Sequence, residues 1–360
     1  MEIKRDVDLR PFTSMYVGGR ARYFTSVNSS AELLQANKFA KENDLKIFIL
    51  GGGSNIIVSD SGFNGLVVKI SILGREQIRE TDDDVDYEVG AGENWDKFVE
   101  FSVESNLYGI ENMSHVPGTV GASVVQNIGC YGQEVSDSVQ SVKVIDRVSF
   151  EEAVFVNNNI GFSYRRSRFN DSNNDKDRFI ITSVIFRLRK NGILNLKYDD
   201  LKKYFLNHQG ILPTLKSVRQ AVIETRNKKF PFPDSPQNGT VGSFWNAEVV
   251  DEKTYQTIIL KLISLGFEKK AEEMESKKSV FRVKQGYKVV PGLFVEILGL
   301  KGKQVGGAKI LESHAGIINN FTGQSTARDV IDLSKEVTEV VKREFGVKLK
   351  IEPELVGDFD

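Results

Sequence analysis

Residues Pro117-Gly118-Thr119-Val120-Gly121-Ala122-Ser123-Val124-Val125-Gln126-Asn127-Ile128-Gly129-Cys130-Tyr131-Gly132 hold four glycines and no charged side chain, in a chain that is 27% charged. Side chains this small cannot fill a core, and the run is too apolar for a linker. Glycine lets a backbone turn through φ > 0, and it lets a flat or anionic ligand come against main-chain N–H groups. Two readings therefore fit the stretch, a tight turn between strands or a wall against which a ligand lies. The stretch alone does not choose between them.

The rest of the chain narrows the choice. Its 360 residues, 40% of them hydrophobic, suffice for two or three domains with a sizeable core. A net charge of -1, with no Lys/Arg-rich run, gives no footprint for nucleic acid. Cys130 is the single cysteine, so an internal disulfide and a cysteine-based metal cluster are both excluded. The histidines His115, His208 and His314 show no His-x-x-x-His spacing, and no metal is expected. The first residues, Met1 to Asp6, lack the apolar core of a signal peptide. No stretch approaches the roughly 20 apolar residues that span a bilayer. A cytoplasmic, reducing location is the expectation.

Periodicity and capping chemistry predict the main elements. A glycine turn at Gly18-Gly19 leads into a strand near Tyr23 to Val27. Ser29 and Glu32 form a capping box for a helix with Leu33, Ala36, Phe39 and Ala40 on one face. Lys46 to Leu50 reads as a buried strand, and Ile56 to Val58 resumes a strand after Gly51-Gly52-Gly53-Ser54-Asn55. That glycine loop has neither the Gly-Lys-Ser/Thr of a P-loop nor the third glycine of a dinucleotide fingerprint. A hairpin turn or a backbone cradle for pyrophosphate both remain. Further strands are expected at Val85–Val89, Val142–Ile145, Ala153–Val156 and Ile180–Leu188, with a helix from Trp95 to Glu104. The polar stretch Asn207 to Pro213 reads as a linker before a helix capped by Ser217, with Gln220 completing its box. Arg226 and Lys229 lie one turn apart near the end of that helix. Asn238 to Phe244 is a second glycine loop that presents Ser243. The last helix begins at Thr326 with Asp329 three residues on. A final strand is expected over Val347, Leu349 and Ile351, leading to Glu352-Pro353-Glu354. The mixture reads as α+β in two or more lobes.

Seven motifs in order carry a resemblance over nearly the whole chain. They are Leu50-Gly51-Gly52-Gly53-Ser54-Asn55, Pro117-Gly118-Thr119-Val120-Gly121, Gln126-Asn127-Ile128-Gly129-Cys130-Tyr131-Gly132, Tyr164-Arg165-x-Ser167, Arg226-x-x-Lys229-Phe230-Pro231, Gly242-Ser243-Phe244 and Glu352-Pro353-Glu354. Together they resemble the UDP-N-acetylenolpyruvoylglucosamine reductases, FAD-dependent enzymes of bacterial cell-wall synthesis. The resemblance implies a vanillyl-alcohol-oxidase-type FAD-binding region of two subdomains, residues 1–70 and 71–213. A smaller α+β substrate-binding domain over 214–350 would follow, and 351–360 would return Glu354 to the active site. The implied reaction passes a hydride from NADPH through noncovalent FAD to the enolpyruvyl ether of a UDP-sugar.

The implied roles follow residue by residue. Arg165 and Glu354 would stabilise the enolate, and Ser243 would protonate it. Gly51, Gly52, Gly53, Ser54, Asn55, Pro117, Gly118, Thr119 and Gly121 would hold FAD. Asn127, Ile128 and Gly129 would approach its ring through main chain. Tyr198 resembles the mobile tyrosine of the longer-loop members, Lys229 would meet the diphosphate, and Arg226 would assist it or simply end its helix as a cation. The enzyme is expected to be a monomer. The chain departs from the family pattern at Ser243-Phe244-Trp245-Asn246-Ala247-Glu248, where members commonly read Ser-Phe-Phe-Lys-Asn-Pro, and nothing is carried over to Asn246. The segment from Phe230 to Thr240 is also longer than usual. Two rival readings are another flavin oxidase on the same fold and an FAD-binding protein without activity. The first glycine loop offers no histidine for flavin attachment, and binding alone has no use for Arg165, Ser243 and Glu354 together.

Overall fold

A computed structural model describes residues 1–171, 175–276, 281–283 and 286–359. The chain divides into two compact units. The first comprises Met1–Val7, Ala21–Gly53 and Phe63–Phe232, and the second Asp8–Arg20, Ser54–Gly62 and Pro233–Asp360.

In the first unit, one sheet runs in the order Lys4–Asp8, Arg20–Val27, Phe63–Ile70, Ile47–Leu50. Phe63–Ile70 lies parallel to both its neighbours, Arg20–Val27 and Ile47–Leu50. Its Leu66, Val67 and Val68 are all buried, as a strand covered on both faces requires. The helix Ser30–Glu42 starts where expected, with Ser29 Oγ accepting from Glu32 N–H at 3.2 Å. The Glu32 carboxylate turns instead to the N–H of Asn28 at 2.7 Å, so the reciprocal box is not made. A second, antiparallel sheet follows in the order Glu152–Val156, Val139–Asp146, Phe179–Arg189, Asp84–Gly90, Arg75–Glu80. Its 11-residue strand Phe179–Arg189 contributes Phe186, which packs on Phe98 at 4.9 Å and Trp95 at 6.0 Å from the helix Trp95–Glu104.

The helices Asp199–Asn207 and Leu215–Lys229 also belong to this unit. Leu201 and Tyr204 of the first pack with Val218, Ala221 and Val222 of the second and with Tyr131. Arg219 pairs with both oxygens of Asp96, at 2.6 and 3.0 Å, on the helix Trp95–Glu104. The first compact unit accordingly runs on to Phe232, and the second resumes at Pro233. The polar stretch 207–213 is a loop inside one unit. The cap of Leu215–Lys229 is Thr214, with Ser217 as its reciprocal partner, three residues before the cap expected from sequence.

The second unit holds an antiparallel sheet in the order Thr240–Ser243, Ile317–Asn320, Ala308–Ile310, Gln304–Val305. A three-stranded sheet, Glu248–Val250, Gly286–Val289, Phe281–Val283, stands beside the helix Glu252–Ser264, which Asp251 caps. The 19-residue helix Ala327–Phe345 buries Val330, Leu333, Val337, Val341 and Phe345 in its core. Its N-terminus is satisfied twice, by the Thr326–Asp329 capping box and by Asp60, whose carboxylate accepts from the N–H groups of Ala327 and Arg328 at 2.8 and 2.9 Å. The turn Gly306-Gly307 docks on that same cap. Gly307 N–H donates to Asp329 at 3.1 Å, and a side chain on Gly306 would meet Asp329 at 2.2 Å.

Val347 and Leu349 are buried alternately as expected, but they form no strand. The paired strand is Glu354–Val356, which runs parallel to Ile56–Val58. Among the described residues no helix is long and apolar enough to cross a membrane.

Candidate functional site

The two glycine loops of the first unit meet backbone to backbone. A Cβ on Gly52 would lie 2.5 Å from Gly118 Cα, and one on Gly51 would lie 2.9 Å from Thr119 Oγ1. The strands on either side of Gly51–Asn55, Ile47–Leu50 and Ile56–Val58, pair in different sheets, so the loop is not a hairpin turn. Pro117–Gly121 is held from behind, because Trp95 N–H donates to Gly118 O at 3.1 Å and Gly121 N–H to Ala91 O at 2.9 Å. The Thr119 hydroxyl is buried and has no hydrogen-bond partner among the described residues. A buried donor of this kind calls for an acceptor from outside the chain, and a phosphate oxygen fits it. Gly52→Ala is expected to force the loops apart at a cost of about 1–3 kcal/mol. The expected result is a purified protein that has lost most of its visible flavin absorbance, and full retention of flavin would contradict this packing.

Further along, the wall is built from strained backbone. Asn127 has φ +43, and Tyr131 and Gly132 have φ +46 and +82. The last two form the turn of a two-residue hairpin between Gly129–Cys130 and Gln133–Glu134. Positive φ at both central positions is what such a hairpin demands. The buried Asn127 side chain donates to Glu134 Oε2 at 2.9 Å and to Ser163 O at 3.0 Å, and accepts from Ser136 N–H at 3.2 Å. The Asn127 side chain is thus engaged within the chain itself. Asn112, buried beneath the hairpin, donates to Tyr131 O and Asn195 O, both at 2.8 Å.

Arg165 sits in a tight turn closed by two 3.0 Å bonds between Ser163 and Arg166, with φ +56 at Arg165. Its Nη1 donates to Gly129 O at 3.2 Å. The guanidinium therefore stands at the wall itself, fixed from a segment 36 residues later in the chain.

Lys229, the last residue of its helix, places Nζ 2.6 Å from Asp200 Oδ2 and 6.0 Å from the Tyr131 ring centroid. Tyr198, 48% exposed, meets Tyr131 edge-on at 5.1 Å. Burial raises the pKa of both tyrosines, and the Asp200 charge adds to it, so their hydroxyls stay protonated donors. Arg226 is engaged in bracing. Its Nε donates to His115 O at 3.1 Å and its Nη1 to Cys130 Sγ at 3.3 Å. The His115 ring stacks on Phe232 at 4.3 Å and shares a hydrogen bond with Asn227, and burial lowers its pKa.

In the second unit, Ser243 ends a strand whose pairing slips. Thr240 faces Asn319 and Ser243 faces Ile317, so Val241-Gly242 is a bulge, with Gly242 at φ +76. The expected glycine loop is thus a bulged strand, and the bulge re-aims an exposed serine. Phe244 O accepts from Glu352 N–H at 2.9 Å, and Trp245 bridges Ile351. Glu354 follows at the head of its strand, its N–H donating to Asn55 O at 3.0 Å. Ser243, Glu354 and the Ser54-Asn55 end of the first loop are thus tied together by main chain. Asn246 is used internally, donating to Ile351 O at 3.3 Å. Asp200, Asn112 and Glu134 escape sequence reading. Only the Asp199-Asp200 pair after Tyr198 marks one of them.

Residues 21–148 match the FAD binding domain family, and residues 236–356 match the C-terminal domain of UDP-N-acetylenolpyruvoylglucosamine reductase. The chain is similar to the UDP-N-acetylenolpyruvoylglucosamine reductase of Flavobacterium johnsoniae, at 36% identity over 99% of this chain and 100% of the relative. It is similar to that of Bdellovibrio bacteriovorus at 34% identity, over 98% and 99%. The crystal structure of UDP-N-acetylenolpyruvylglucosamine reductase from Thermus caldophilus superimposes with a TM-score of 0.66 at 21% identity, over 99% of this chain and all of that one, a likeness of fold. The α+β class stands, with a vanillyl-alcohol-oxidase-type FAD-binding region followed by a smaller C-terminal domain.

Proposed function

The chain belongs to the UDP-N-acetylenolpyruvoylglucosamine reductase family, and on that premise we propose that it reduces UDP-N-acetylglucosamine enolpyruvate to UDP-N-acetylmuramate, with NADPH as the reductant and FAD held noncovalently. The proposal puts the reaction in peptidoglycan precursor synthesis, in the cytoplasm of a bacterium, with the enzyme acting as a monomer. The observation that carries it is the Arg165 guanidinium, 3.2 Å from the Gly129 carbonyl, on the wall that the flavin-binding motifs build.

When bound, FAD supplies the hydride relay from NADPH to the enolpyruvyl methylene, chemistry that no amino-acid side chain performs. Addition of hydride there pushes the electron pair of the double bond toward the neighbouring carboxylate and builds enolate charge. Arg165 clamps that carboxylate with its planar donor fork and stabilises the charge as it grows. Glu354 polarises the same end, which requires it to be protonated or to share a proton. Ser243 gives its hydroxyl proton to the carbon beside the carboxylate. The double bond becomes a single bond with one hydride and one proton added. Lys229 meets the diphosphate as a point charge, Tyr198 closes over the nucleotide, and Arg226 braces the hairpin they face. Gly51, Gly52, Gly53, Ser54, Asn55, Pro117, Gly118, Thr119 and Gly121 hold FAD, while Asn127, Ile128 and Gly129 present main chain to its ring. This reading is supported by the family match and by the conformations reported above.

The test is NADPH consumption with and without the enolpyruvyl UDP-sugar. Sustained turnover is expected only with the sugar, and its product should be UDP-N-acetylmuramate by mass spectrometry. Equal consumption in air without sugar would indicate an oxidase. A flavin that NADPH leaves oxidised would indicate an FAD-binding protein without this activity.

A further inference from the structure

We propose that Asp200 sets the affinity for the nucleotide-sugar, because its carboxylate occupies Lys229 and the incoming diphosphate must compete with it. The inference rests on the reading of Lys229 as the diphosphate contact.

Three observations carry it. First, a 2.6 Å bond joins Lys229 Nζ to Asp200 Oδ2, so the ammonium already has a carboxylate partner. The two side chains are 36% and 27% exposed, so the pair is partly screened and can be displaced. Second, the backbone that carries Asp200 is held in place. The next residue, Leu201, is fully buried against the helix that ends in Lys229. A diphosphate that reaches Lys229 must therefore take the ammonium from a carboxylate that stays close by. Third, Asp200 stands two residues from Tyr198, at the start of the same helix. Its charge also reaches Tyr131 and Tyr198, the two rings that face each other there. A single carboxylate thus acts on the cation and on both hydroxyls. Asp199, its neighbour, points to a different partner, Lys202, at 3.4 Å. It carries the same charge on the same helix turn without touching Lys229.

That contrast supplies the control. UDP-N-acetylglucosamine is titrated calorimetrically into the FAD-loaded protein and into Asp200→Asn, Asp199→Asn, Lys229→Ala and the Lys229→Ala/Asp200→Asn double variant. Asp200→Asn should bind about 10-fold more tightly at low salt, and the gain should shrink at high salt as charges are screened. Asp199→Asn should stay within about twofold of the parent. In the Lys229→Ala background the gain from Asp200→Asn should shrink to that same level. Asp200→Ser, which suits the first turn of a helix, should reproduce the gain if the asparagine disturbs folding. If Lys229→Ala weakens binding while Asp200→Asn binds no more tightly than the parent, the Asp200 proposal alone is overturned, and Asp200 is an orienting partner of Lys229. If Lys229→Ala binds as tightly as the parent, the diphosphate reading of Lys229 fails and takes this proposal with it.

Discussion

Replacing Ser243 with alanine should leave reduction of the flavin by NADPH intact and slow its reoxidation by the enolpyruvyl UDP-sugar by about 10²–10⁴-fold. The size follows from what is removed. A positioned proton donor is worth that range, whereas hydride delivery to the methylene does not use the hydroxyl. The strand geometry makes the variant clean. Ser243 is exposed at the end of a bulged strand, and its neighbour Phe244 is fully buried. Losing the hydroxyl empties no core position, so stability should change by no more than about 0.5 kcal/mol. The measurement is stopped-flow absorbance of the two half-reactions, with a thermal melt as the control for folding. Equal reoxidation rates in parent and variant would remove Ser243 from the mechanism.

The features legible in the sequence are those decided within a few residues. The helix Ala327–Phe345 begins where Thr326 announces it, because a cap satisfies N–H groups only three residues away. Where two hydroxyls compete, that locality misleads. Thr214 and Ser217 both suit a cap, and the reciprocal bonds between them make Thr214 the cap and Ser217 its partner. The helix Asp199–Asn207 buries only Leu201 and Tyr204, too faint a stripe to stand out from a charged stretch. Alternation at Val347 and Leu349 reports burial of one face, which an extended segment achieves without a ladder.

The site was legible as residue types and opaque as geometry. Glycine at Gly51 and Gly52 signals a backbone that something approaches, but the thing that approaches includes Gly118 and Thr119, far away in sequence. Asn127 reads as one more small residue of the wall, and only its three hydrogen bonds show that it ties the wall to the base of the Arg165 turn at Ser163. The compact unit continues past the polar stretch 207–213 to Phe232 for the same reason. A polar run marks chain that leaves a core, and whether it comes back to the same core depends on what covers Val218, Ala221 and Val222.

Arg165→Lys should keep the charge and still lower the rate of flavin reoxidation by the sugar nucleotide by about 10²–10³-fold, the loss that follows removal of one preorganised donor to a developing oxyanion. A lysine ammonium is a compact point charge on a flexible stem, and it cannot match both oxygens of a carboxylate at once. The arginine is held in place by two means. Its backbone is fixed at φ +56 in a turn closed from both sides, and its Nη1 is bound to Gly129 O at 3.2 Å. Lysine inherits the strained turn and loses the fork, so the ordering of the segment yields no clamp. The NADPH half-reaction should proceed at the parental rate, since enolate charge does not arise in it. Arg165→Met, with neither charge nor fork, should lose more. The rival role for this arginine is structural, as the peg that seats Gly129. A peg would shift the visible flavin spectrum in both variants and slow both half-reactions together. An enolate clamp leaves the spectrum and the first half-reaction alone, so the ratio of the two rates separates the roles.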